Sequence, residues 1–159
     1  METEPNLTSP ITVAPNGRDL DLVALGEILL RLDPEDDRIT DARSFTVYDG
    51  GAEYNVARNL AKVFQLRTAI VTALADNEVG RLAENFAKRS GVDTEAIIWR
   101  DPGGDTRNGL YFMGRGFGVR PPASTFDRDG TAVSKLTVND IDWVEIFRQR
   151  TARWFHTGG

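Results

Sequence analysis

Asp49-Gly50-Gly51-Ala52-Glu53-Tyr54-Asn55-Val56-Ala57-Arg58-Asn59-Leu60-Ala61 joins a glycine pair to an amphipathic helix with polar groups in its first turn. Without a Cβ, Gly50 and Gly51 let a ligand approach the backbone. The free N–H groups of the helix start offer hydrogen bonds to hydroxyl or carboxylate oxygens. Asn55 lies just inside that helix, on the side expected to face the same pocket. A plain turn and helix cap is the alternative reading of a glycine pair taken alone.

Working outward, Ser44 to Tyr48 alternates polar and apolar side chains and leads into the glycines as a strand with one wet face. Upstream, Asp21 to Leu32 starts as a buried-type strand, breaks at Gly26 and continues as a second extended piece. The helix after Gly51 is expected to bury Val56, Leu60, Val63 and Phe64. Arg67 to Leu74 has the β-branched, apolar composition of a central parallel strand. Asp76-Asn77-Glu78 supplies a cap for a helix burying Val79, Leu82, Ala83, Phe86 and Ala87, with Gly91 as its left-handed stop. Val92 to Trp99 is read as one further strand. The β-α-β-α-β order implies a mostly parallel sheet covered by helices.

After residues 101–105 the texture changes. Asn108 to Met113 and Ala123 to Arg128 flank the glycine-rich loop Gly114 to Pro122 and read as antiparallel strands. With residues 28–32 and 44–48, residues 108–113 and 123–128 are expected to form a small antiparallel lid above the glycine pair. Thr137 to Arg148 reads as a helix burying Ile141, Val144 and Phe147, and Ala152 to His156 as a returning strand. A strand running out into Gly158-Gly159 usually begins another crossover in an open α/β sheet, so a truncated domain is expected.

The 159 residues suffice for one α/β domain, and 40% hydrophobic content is that of a globular chain. A net charge of -5 argues against nucleic acid as a partner. The absence of cysteine removes disulfides, thiolate catalysis and Cys-based zinc sites, and is compatible with the cytoplasm. No apolar run reaches membrane-spanning length, so no membrane partner is expected. Residues 1–20 read as a flexible leader and 21–159 as the domain.

Four successive motifs, Ala24-Leu25-Gly26-Glu27, Gly50-Gly51-Ala52-Glu53-Tyr54-Asn55-Val56-Ala57, Ala75-Asp76-Asn77-Glu78-Val79-Gly80 and Ser90-Gly91-Val92-Asp93-Thr94, resemble those of the PfkB-type, or ribokinase-like, sugar kinases. Gly109-Leu110-Tyr111-Phe112, Gly116 to Pro121, Phe126-Asp127-Arg128 and His156-Thr157-Gly158-Gly159 resemble the 2-keto-3-deoxygluconate kinase branch. The resemblance implies a ribokinase-like α/β fold, represented by its N-terminal part. It also implies substrate binding by Gly50, Gly51, Asn55, Tyr111 and Arg128, the last two holding the acid end of a small sugar acid. Arg107 and Arg120 are weaker candidates for the same carboxylate. Phe126 stands where related kinases often have tyrosine.

The resemblance further implies ATP and Mg2+ as cofactors of the full-length enzyme, with no tight binding to these residues alone, and a homodimer formed through the lid. The family's Gly-Ala-Gly-Asp type motif, which supplies the base and the anion hole, has no counterpart here. No catalytic residue is therefore expected in this part, and the fragment alone is expected to be inactive. Fructokinase or ribokinase activity and a noncatalytic sugar-binding or dimerising module are the rival readings. A dinucleotide-binding domain lacks its glycine fingerprint after the first strand. Glu27 is expected to be structural or a hydroxyl acceptor, because its charge repels a sugar acid. His156, the only histidine, is expected to pack at a strand end.

Overall fold

The computed structural model describes residues 19–103 and 106–158. Most of the expected leader, residues 1–18, lies outside them. Leu20, its last residue, is buried.

The central strand β1 (Leu22–Leu25) lies between β4 (Thr68–Ala75) and β9 (Trp154–Thr157), parallel to both. On its outer side β4 pairs first with β5 (Val92–Asp93) and then with β6 (Ile97–Arg100), again in parallel. The single strand expected over Val92 to Trp99 is thus two short ones on one edge. All residues of β4 are buried, as a strand covered on both faces requires. Alternation divides the core: Leu22, Ala24, Ile70 and Leu74 face one cluster, and Val23, Ala69 and Val71 face the other with Leu20 and Ile146.

Two helices pack against the first cluster. In α1 (Ala52–Phe64) Tyr54 and Ala57 are the buried residues, Leu60 and Ala61 are partly buried, and Val56, Val63 and Phe64 are exposed at 37%, 67% and 66%. The expected stripe is therefore rotated. Small Ala57 lets the helix close on the sheet so that the Thr68 hydroxyl donates to the Ala57 carbonyl at 3.1 Å. The aromatic volume comes from Tyr54. In α2 (Glu78–Arg89) Ala83 and Ala87 are buried and Phe86 packs on the core as expected, but Val79 and Leu82 are exposed at 42% and 38%. Asn77 caps α2 by accepting from the Gly80 amide at 2.9 Å, and Gly91 adopts φ +80°, both as expected.

The second sheet contains β2 (Leu29–Asp33), β3 (Thr46–Gly50), β7 (Leu110–Gly114) and β8 (Ala123–Asp127), in the order β3-β2-β7-β8. β2 with β3 and β7 with β8 are antiparallel, whereas β2 and β7 are parallel, so the lid is mixed instead of wholly antiparallel. The reason lies in the main sheet. β2 follows β1 and β7 follows β6, strands that both run parallel to β4, so the two hairpins leave the layer in the same direction.

The helix expected over Thr137 to Arg148 is replaced by a short 3₁₀ turn at Val138–Asp140 and a wide turn at Glu145–Gln149. Two polar caps divide it. Asp140 accepts from the Thr137 amide at 2.7 Å, and Asp142 accepts from the Glu145 amide at 2.9 Å, each closing its own turn. Ile146 consequently enters the core, while Val144 and Phe147 stay exposed.

Candidate sugar-binding site

The carboxyl ends of β1 and β9 open into a cavity of about 590 Å³ bordered by Gly26, Glu27, Gly51, Glu53, Arg128 and Gly158. This is where ligands collect in open α/β sheets. Val133, Leu136, Val138, Ile141 and Trp143, from the segment after the lid, form an apolar wall.

Gly51 is required by its geometry. At φ +126° it precedes α1, and a Cβ there would collide with the Glu27 carbonyl. Gly50, the last residue of lid strand β3, is buried, and a Cβ there would stand 2.8 Å from the Tyr111 hydroxyl. Tyr111 stacks on Phe126 with centroids 5.5 Å apart, placing both rings on neighbouring lid strands. Gly51 and Arg128 border the cavity, whereas Gly50 and Tyr111 meet each other beside it and Asn55 is exposed on the first turns of α1.

Arg128 lies just beyond β8, and its Nε donates to Glu27 Oε2 at 2.7 Å. Glu27 is only 7% exposed; its other oxygen, Oε1, is buried with no hydrogen-bond partner among the described residues. Glu53 supplies a second carboxylate, pressed against the Gly26 and Gly158 backbones so closely that a Cβ on either would collide with it. The cavity thus combines one guanidinium and two carboxylates with backbone exposed at glycines, a set suited to hydroxyls and one anionic group.

Asp49, immediately before the glycine pair, accepts from the Tyr54 hydroxyl at 2.6 Å and pairs with Arg58 at 2.9 Å. Burial, then the hydrogen bond to Asp49, push the Tyr54 phenol well above its ordinary pKa. The weaker candidates lie elsewhere. Arg107 pairs with Asp127, and Arg120 donates to the Arg115 carbonyl at 3.3 Å, beside a separate cavity shared with Arg38 and Pro121. His156 is half-buried in β9 beside Ala24.

Sequence reasoning set Glu27 aside and missed Glu53 and the apolar wall. The counter-charge to Glu27 sits 101 residues away, and of the wall Val138, Ile141 and Trp143 belong to the segment expected to be a regular helix while Val133 and Leu136 precede it. Glu53 did carry a local signal, an acid in the first turn after a glycine pair.

Residues 19–114, over half of the chain, match the pfkB family of carbohydrate kinases. The chain belongs to this family. Among its relatives, 2-dehydro-3-deoxygalactonokinase of Haloferax volcanii is 32% identical over 140 residues, covering 87% of this chain and 42% of that protein. The 5-dehydro-2-deoxygluconokinase of Geobacillus kaustophilus is 29% identical over 130 residues, covering 79% of this chain and 37% of that protein. The crystal structure of 2-dehydro-3-deoxygluconokinase from Thermotoga maritima superposes with a TM-score of 0.78 at 39% identity, covering 87% of this chain and 40% of that one. This pfkB-family chain therefore spans about 40% of the length of such relatives. Among the described residues no helix is long and apolar enough to cross a membrane.

Proposed function

We propose that this chain forms the sugar-binding part of an ATP-dependent kinase that phosphorylates 2-keto-3-deoxygluconate to its 6-phosphate in the cytoplasm. The observation that carries the reading is Arg128, held at the edge of the same cavity as Gly51. A guanidinium at a partly enclosed cavity is suited to a carboxylate, which neutral sugars lack. The relatives support this choice, since the names of all three point to keto-deoxy sugar acids. Tyr111 contributes by packing lid strand β7 against Gly50 at the end of β3, and Asn55 by offering an amide in the first turns of α1.

ATP and magnesium supply the phosphoryl group and its charge neutralisation in such kinases. The described residues contain no group of three or more metal-binding side chains, and none is assigned to these cofactors. In this reading the base and the anion hole come from outside these 159 residues, so the chain binds the sugar acid without turning it over. The enzyme is proposed to pair through its lid sheet into a homodimer.

Calorimetric titration of the chain with 2-keto-3-deoxygluconate and with fructose tests the reading. Arg128→Ala should weaken acid binding at least about ten-fold and leave fructose unchanged. Equal loss for both ligands would remove the sugar-acid assignment, and ATP-dependent turnover by the chain alone would remove the division of labour.

A further inference from the structure

We propose that Glu27 is the positioning residue for carboxylate recognition: it anchors Arg128 through Nε and leaves the two terminal amines of the guanidinium for the acid group of the ligand. This rests on the proposed role of Arg128.

The pair is built unequally. Glu27 is 7% exposed, whereas the Arg128 side chain is 51% exposed, so the carboxylate is fixed in the interior and the cation reaches out from it. A buried carboxylate needs a compensating charge, and Arg128 is its only ion-pair partner among the described residues. Oε2 accepts from Arg128 Nε at 2.7 Å. Oε1 is enclosed where a Cβ on Gly109 would strike it, and it has no hydrogen-bond partner among the described residues. Oε1 is therefore held away from any sugar hydroxyl while this packing holds. The open side of Glu27 is directed at Arg128.

The backbone makes the anchor rigid. Gly26, immediately before Glu27, donates its amide to the Val71 carbonyl at 3.2 Å, tying the break after β1 to the neighbouring strand β4. Arg128 instead follows the last lid strand. The ion pair thus joins the floor of the cavity to its lid across 101 residues of chain. An arginine free in solvent loses rotamer freedom when it grips a ligand, and anchoring Nε beforehand lowers that cost. Nε and the terminal amines are separate donors on one planar group, so both contacts are compatible.

This assignment changes what the Glu27 charge does. Considered alone, it repels a sugar acid. Paired with Arg128, it orients the guanidinium, and selectivity comes from donor geometry more than from net positive charge.

The test is titration of the 159-residue chain with 2-keto-3-deoxygluconate and fructose, with each variant checked by circular dichroism. Glu27→Gln, which keeps the shape and the acceptor but loses the charge, should weaken acid binding about ten-fold and change fructose binding less than about two-fold. Gly109→Ala, whose Cβ would press on both Glu27 Oε1 and the buried Leu29 side chain, should reproduce the acid-specific loss provided that circular dichroism shows the wild-type fold. Glu27→Gln combined with Arg128→Ala should bind the acid no more weakly than Arg128→Ala alone, because Glu27 acts through that arginine.

Tighter acid binding by Glu27→Gln would show that repulsion dominates and overturn the proposal. Equal weakening of both ligands would also overturn it, marking Glu27 as merely structural. If Arg128→Ala leaves acid binding intact, the sugar-acid reading itself fails. If Arg128→Ala is acid-specific but Glu27→Gln is silent, only the positioning role fails.

Discussion

Asn108 donates from Nδ2 to Asn77 Oδ1 at 3.0 Å while its own Oδ1 accepts the Ala75 amide at 2.9 Å. The residue that leads into lid strand β7 is thereby bonded to both the end of β4 and the cap of α2. Asn77 Oδ1 simultaneously accepts from Gly80, so one network, buried at the Asn108–Ala75 bond and part-buried at Asn77, anchors the lid to the main sheet. Such a network is stabilising when complete and costly when one member is removed.

Asn108→Ala should therefore lower stability by about 1–3 kcal/mol, because the Ala75 amide is left buried without its acceptor. Denaturant unfolding measures the loss, and hydrogen exchange should show faster exchange at β7 than at β1. A change below about 0.5 kcal/mol would mean that water replaces the asparagine freely.

Tyr54→Phe retains the packing of a ring that is 0% exposed but removes the donor to Asp49, and should cost about 1 kcal/mol. Tyr54→Ala should cost about 3–5 kcal/mol by cavity formation. The raised phenol pKa contributes stability that is fully present below pH 10.0 and is lost progressively as pH rises above it. Ultraviolet titration should show a tyrosine that ionises only well above the ordinary phenol range, and its absence would contradict the buried bond.

Gly51→Ala places a Cβ against the Glu27 carbonyl at a φ of +126°, which only glycine adopts comfortably. A destabilisation of about 2–4 kcal/mol is expected, with weaker sugar-acid binding. Retention of wild-type melting and affinity would show that the loop relaxes without penalty.

Asp140 accepts from the Thr137 amide and hydroxyl and pairs with Arg100 at 2.7 Å, which together lower its pKa from 3.8 to about 2. Its stabilising contribution is complete above pH 3.8 and is lost as pH falls through about 2. Carboxyl NMR should locate that midpoint, and Thr137→Val should move it upward. A midpoint near the ordinary value would mean that the turn is open.

Phe126 is 59% exposed on the outer lid strand and Met113 is 37% exposed on its neighbour. If the lid pairs two copies, Phe126→Glu should convert a dimer to a monomer in light scattering while the fold persists. An unchanged mass would remove the lid as the contact.

How much was readable beforehand differs by element. The Gly26 break, the Asn77 cap and the Gly91 stop are local rules, and each is found where residue chemistry places it. The α1 stripe misled because hydropathy ranks valine and phenylalanine above alanine, whereas close approach to a sheet selects the small residue. The segment after Thr137 misled because its apolar spacing is helical while two aspartates cap separate turns inside it. Arg128 was identified as a site candidate, but its partner Glu27 was discounted on charge alone.

Chain order and turn chemistry were enough to specify the parallel layer, the glycine junction and the existence of a lid, since these depend on neighbours within a few residues. Which helix face is buried, the parallel meeting of the two lid hairpins and the pairing of Glu27 with Arg128 were settled by packing. Each joins residues distant along the chain, where close approach and burial of charge outweigh local preference.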